Sequence, residues 1–102
     1  MKTKPHFVAN LNYLKSEEGG RSTPASSGYK PGIKFPFYAG LFSGIQTFIG
    51  KDTVMPGENI EAEITLLDTD YFKGKLCEGM KFEFYEGSIL IGNGIITKLL
   101  NT

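Results

Sequence analysis

The chain has no tryptophan, one cysteine, one histidine, no net charge and no long apolar run, and each scarcity closes off a class of function. With Cys77 alone there is no intrachain disulfide and no CxxC metal or redox pair, which makes a reducing cytoplasm the default compartment. With His6 alone, histidine-based nucleophilic or metal chemistry lacks partners at short spacing, and the residue reads as a surface imidazole beside Pro5. No apolar stretch approaches the roughly 18 residues of a membrane-spanning helix, and the two N-terminal lysines have no apolar segment behind them. A soluble, unexported protein is the expectation. Met1 stands three residues before Lys4, so the chain reads as a complete small gene.

Eleven basic side chains balance eleven acidic ones, which argues against retention on nucleic acid by bulk charge. The distribution is uneven. Residues 1–51 hold seven basic and two acidic side chains, 7 − 2 = +5, and residues 52–102 hold four and nine, 4 − 9 = −5, leaving room for a local basic face. At 102 residues the chain suffices for one domain and one core. Eight Phe and five Tyr suit that core to sheets.

Periodicity agrees. Phe7, Ala9, Leu11 and Tyr13 alternate with Val8, Asn10, Asn12 and Leu14, a first strand. Residues 16–32 change to Gly, Ser, Pro and charge and predict a long surface loop, a kind of segment that is usually functional or mobile. Residues 33–38 are extended and aromatic, but Pro36 has no ladder donor, which predicts an edge strand or a bulge. Residues 45–49 predict another strand. Pro56 and Gly57 fit the two central positions of a turn. Ile60, Ala62, Ile64 and Leu66 alternate strictly with Glu61, Glu63 and Thr65, so a strand with one wet face is favoured over a helix. Residues 68–79 form a polar connection. Met80, Phe82 and Phe84 alternate with charge, Glu86-Gly87 reverses the chain, and Gly92 and Gly94 in the last extended region mark a bulge or a close backbone approach. Six short strands with frequent turns predict an all-β antiparallel barrel or sandwich.

Catalytic constellations are lacking. Asp68 and Asp70 are followed by Tyr71, Phe72 and Lys73 where a calcium loop needs oxygen ligands. Glu61 and Glu63 share an outer strand face with no implied pocket. The Glu17–Arg21 run matches neither glycine-rich phosphate motif, so no mononucleotide site is indicated. Its paired glycines turn the loop and carry Arg21 outside the barrel, where an internal carboxylate is a better expected partner than an external phosphate.

Several blocks, in order, carry a family resemblance: EGGR at Glu18–Arg21, Thr23-Pro24, GYKP at Gly28–Pro31, VMPGEN at Val54–Asn59, and Glu86-Gly87 before a glycine-spaced last strand, with Lys4-Pro5-His6 opening the chain. Together they resemble the C-terminal, third domain of elongation factor Tu, over nearly the whole of residues 1–102. The resemblance implies a six-stranded Greek-key barrel; 102 residues leave no room for a GTPase domain beside it, so a non-catalytic module without cofactor or metal is the expectation. In that family the domain packs on the GTPase domain and helps hold the T-stem of aminoacyl-tRNA. Carried over, its RNA-facing positions fall on Arg21, Ser22, Gly32, Asp68, Glu86 and Gly87. Arg21, Glu86 and Gly87 match. Ser22 stands in place of a His, Gly32 in place of a Gln, and Asp68 where some members have a Lys, an exchange that repels phosphate. Residues 32–44, GIKFPFYAGLFSG, replace a polar stretch of the family and bring in Phe37, Tyr38, Leu41 and Phe42, of which alternation buries half and leaves the rest as a protein-binding patch. Two expectations follow: a module acting through protein contacts, with a translation GTPase or a second copy as partner, or a weak tRNA binder using Arg21, Lys30 and Lys34.

Overall fold

The computed structural model describes residues 4–67 and 74–100. Six strands close into an antiparallel barrel: β1 (Phe7–Tyr13), β3 (Gly32–Lys34), β4 (Phe42–Phe48), β6 (Asn59–Leu66), β7 (Lys81–Glu86) and β8 (Ile89–Leu99). Around the barrel the order is β1-β6-β4-β3-β7-β8, with β8 returning to β1. The successive strands β3, β4 and β6 are neighbours and β1 lies beside β6, which is the Greek-key arrangement. Two short strands, β2 (Ala25–Ser26) and β5 (Thr53–Val54), pair separately with each other.

The core follows from alternation. Phe7, Ala9, Leu11 and Tyr13 of β1 and Ile60, Ala62, Ile64 and Leu66 of β6 are buried. Phe7, Phe35 and Phe82 meet at centroid distances of 5.7–6.2 Å, the first two pairs edge to face, the geometry that aromatic quadrupoles favour. A six-stranded barrel has little interior volume, and rings this large need small residues opposite them. Gly92 and Gly94 of β8 supply the space: a Cβ on Gly94 would stand 2.5 Å from Phe82 Cζ, and one on Gly92 would stand 2.5 Å from Phe84 Cζ and 2.4 Å from the Asn12 carbonyl oxygen. The expected close approach is present. So are bulges, because register shifts on β8 leave Ile91 without a partner on β7 and Thr97 without one on β1, which bends the strand between its two neighbours.

Three local expectations are corrected. The strand containing Ile33 ends at Lys34 and is paired on both sides, to β4 and β7, so it is no edge; Pro36 sits beyond it in a turn and takes no ladder position. His6 is no surface imidazole: it is 6% exposed, and its Nδ1 accepts the Leu66 backbone N–H at 3.0 Å. At this end of the β1–β6 ladder the imidazole stands where a backbone carbonyl would otherwise accept, and burial lowers its pKa. Residues 16–32 do not form a structureless loop. They contain a 3₁₀ turn at Ser16–Glu18, the β2–β5 pairing and a bridge between Tyr29 and Gln46, and Ala25 and Pro31 are buried. The turn of residues 55–58 is as expected, with Pro56 and Gly57 central, φ of +88° at Gly57, and the Glu58 N–H donating to the Met55 carbonyl at 3.0 Å. Asp68, Asp70, Tyr71, Phe72 and Lys73 lie outside the described residues. No helix among the described residues is long and apolar enough to cross a membrane.

Candidate functional site

The segment after β1 is held by backbone bonds at each step. Leu14 N–H donates to Ile91, and the 3₁₀ turn closes through Gly19 N–H to Ser16 and Gly20 N–H to Lys15. Glu18 reaches back to the Lys15 N–H at 2.8 Å, a carboxylate near the positive end of the turn. This fixes where Arg21 leaves the chain. Its Nη1 donates to Glu86 Oε1 at 2.6 Å, Nε to the Thr23 carbonyl at 3.2 Å, and Nη2 to Thr23 Oγ1 at 3.1 Å and the Pro24 carbonyl at 3.2 Å. Four of the five guanidinium N–H groups are thereby directed within the chain.

Tyr29 completes the cluster. Its ring lies under the guanidinium, 4.9 Å from ring centroid to Cζ, and its hydroxyl donates to the same Glu86 oxygen at 2.6 Å. The Tyr29 hydroxyl bond, together with the Arg21 charge, holds the Glu86 carboxyl below the ordinary carboxylate range. Burial and the bond to Glu86 push the Tyr29 hydroxyl up to about 12. Glu86 is the last residue of β7 and Ile89 the first of β8. Between them Gly87 has φ of +62° while Ser88 keeps a negative φ, the pattern of a type II′ hairpin turn. The turn centre is therefore Gly87-Ser88, one residue later than the sequence suggested.

Beneath Tyr29 lies a buried polar pair. The Tyr13 hydroxyl donates to Gln46 Oε1, burial raises the Tyr13 pKa, and Gln46 Nε2 has no hydrogen-bond partner. Gln46 also bridges the loop through its backbone, donating to the Tyr29 carbonyl at 2.9 Å and accepting from the Gly28 N–H at 2.7 Å. Neither Tyr29 nor Gln46 stood out as a functional residue in the sequence. The usable signal was Gln46 itself, the one polar side chain among the inward positions Phe42, Gly44, Gln46 and Phe48.

Arg21, Glu86 and Gly87 are brought together at the β7–β8 hairpin. Lys34 is not with them: it pairs opposite Glu83, farther along β7. Lys30 is exposed and Lys34 half-buried, and neither joins an ion pair among the described residues. Ser22 is exposed, and Gly32 is covered by Leu41, whose Cδ1 would stand 2.9 Å from a Cβ on that glycine.

Half of the aromatic stretch is covered, as expected, but not by alternation, because residues 35–41 lie between β3 and β4 rather than in a strand. Phe42 is buried, Phe37 is half-buried and stacks on Phe35 at 5.3 Å, and Tyr38 and Leu41 are 42% and 49% exposed. Among the described residues no group of His, Cys, Asp and Glu side chains is placed to hold a metal ion. No protein-family model matches the chain.

Proposed function

We propose that the chain is a freestanding relative of the third domain of elongation factor Tu that serves as a non-catalytic binding module, acting through protein contacts. The observation that carries the reading is the Arg21 guanidinium, directed by four hydrogen bonds onto Glu86, Thr23 and Pro24. A side chain so engaged stabilises its own loop and has little left to offer a phosphate. Tyr38 and Leu41 meanwhile stand exposed on the stretch that departs from the family pattern, and exposed aromatic and aliphatic side chains together favour protein partners. A translation GTPase or a second copy of the chain is the expected partner, in the cytoplasm.

The test is sedimentation velocity of the purified chain, alone and with an elongation-factor-type GTPase, for the wild type and the Tyr38→Ser/Leu41→Ser variant. Association is expected for the wild type and not for the variant, whose stability should change by no more than about 0.5 kcal/mol, as for surface sites generally. A wild-type chain that stays monomeric and ignores the GTPase overturns the reading.

A second reading, weak binding of aminoacyl-tRNA, draws on Lys30 and Lys34, which have no ion-pair partner among the described residues. It requires binding that weakens steeply with salt and falls on Arg21→Ala. Absence of binding in low salt removes it.

A further inference from the structure

The outer wall formed by β1, β8, β7 and β3 carries a depression of about 580 Å³, within the usual size range of small-ligand sites. Strand pairing places its side chains in two rungs. One runs Asn12, Asn93, Glu83, Lys34 from strand to strand; the other runs Asn10, Ile95, Lys81. Asparagine is disfavoured in strands because its short amide competes for backbone partners, yet three of them stand adjacent in the middle of paired strands. No hydrogen bond among the described residues engages their side chains. Lys34 and Lys81 join no ion pair among the described residues, and Glu83 accepts the Tyr85 hydroxyl at 2.9 Å. Neither Tyr38 nor Leu41 lines this depression.

We propose that this wall binds a short acidic oligosaccharide, a chain of hydroxyl-bearing rings with carboxylate substituents. Each sugar hydroxyl both donates and accepts, and each asparagine amide presents one group of either kind, so three adjacent amides match a row of hydroxyls. Ile95, exposed between Asn10 and Lys81, offers the apolar surface that the C–H face of a ring requires. The two lysines provide charge-assisted bonds to carboxylates. Nucleic acid fits less well, because the only rings lining the wall, Phe35 and Phe82, are buried and give no base a face to stack on. A protein partner fits less well too, because Phe35 and Phe82 lie buried beneath the wall and no exposed aromatic anchors it.

The proposal is tested by titrating trigalacturonate into the ¹⁵N-labelled chain, with maltotriose and a four-nucleotide oligouridylate as comparison ligands, each to about 10 mM, well above the dissociation constant of even a weak site. Trigalacturonate is expected to shift the side-chain amide signals of Asn10, Asn12 and Asn93. Asn93→Ala and Lys34→Gln, both surface changes that leave the melting temperature in place, should each weaken it about fivefold. No shift at the highest concentration, shifts confined to other residues, or unchanged affinity in both variants overturns the proposal. Maltotriose binding equally well overturns the acidic assignment, and tighter binding of the oligouridylate overturns it in favour of nucleic acid.

Discussion

The Arg21 guanidinium and the Glu86 carboxylate meet at 2.6 Å although 65 positions separate them in sequence. The contact ties the segment that crosses one end of the barrel to the β7–β8 hairpin, and Tyr29 is clamped between them by its ring and its hydroxyl. The Glu86 side chain is 54% exposed and that of Arg21 21%, so the ion pair itself is worth no more than about 1 kcal/mol in water. The bonds to Thr23 and Pro24 and the ring contact add to what Arg21 holds.

Arg21→Ala should therefore destabilise the fold by about 1–2 kcal/mol, more than Glu86→Gln, which keeps an acceptor for Tyr29. Urea unfolding of the two single variants and the double variant measures the difference, and a coupling energy near zero would show that the pair contributes nothing.

Acid sensitivity should come in two stages. Burial lowers the His6 pKa from 6.5, so the unfolded chain binds a proton there that the folded chain refuses, and stability falls as pH drops below 6.5 toward the folded-state value. The Glu86 pKa is depressed from 4.5; its contribution is complete above 4.5 and is lost as pH falls through the lower folded value. In His6→Gln, which keeps an acceptor for the Leu66 N–H but does not titrate near neutrality, the first decline should vanish and the second remain. Melting temperature against pH, for both proteins, checks this.

Gly92→Ala should be among the costliest single-methyl additions, because the new Cβ meets the Asn12 carbonyl at 2.4 Å and Phe84 Cζ at 2.5 Å. Overpacking of this kind costs about 1–3 kcal/mol. The expected signature is a lower urea midpoint at an unchanged m value; stability equal to wild type would mean that β8 shifts outward freely.

Tyr13 and Gln46 should behave as a unit. Tyr13→Phe leaves Gln46 with both amide groups unpartnered, and Gln46→Met leaves a buried hydroxyl unpartnered, each at about 1–3 kcal/mol. The double variant removes both polar groups, and also the buried Gln46 Nε2 that already lacks a partner. It should be nearer to wild type than either single change, a coupling measurable by a double-mutant cycle.

The barrel was legible because its strands obey one rule. In β1 the period-two pattern places each side chain correctly, and in β6 it does so up to Ile64, but Thr65, expected on the wet face, is buried between Ile64 and Leu66. Gly92 and Gly94 announced a close approach that the Phe82 and Phe84 rings confirm. What was not legible depends on partners distant in sequence. His6 looks solvated beside Pro5 until β6 brings the Leu66 N–H to it, and Pro36 looks like an edge marker until the strand is seen to stop two residues earlier. The turn-rich segment has no hydrophobic period of its own, since it borrows order from β5 and from Gln46. Arg21 was legible as a side chain seeking a carboxylate, and Glu86 as a hairpin residue, but nothing local connects the two. Asn10 and Asn12 were visible as the polar face of the first strand; only the closure of the barrel makes Asn93 of β8 their neighbour.

That closure governs the order of assembly. β1, the first strand made, pairs along its whole length with β8, the last, from Phe7 opposite Leu99 to Tyr13 opposite Gly92. While the chain is being synthesised, β1 offers β8 an open hydrogen-bonding edge, and the Phe7 ring has no finished wall around it. Contacts so remote in sequence slow folding. The barrel can therefore close only when its last strand is free to join, and fragments ending before β8 should expose both an unpaired edge and aromatic core surface, the combination that recruits chaperones or leads to aggregation.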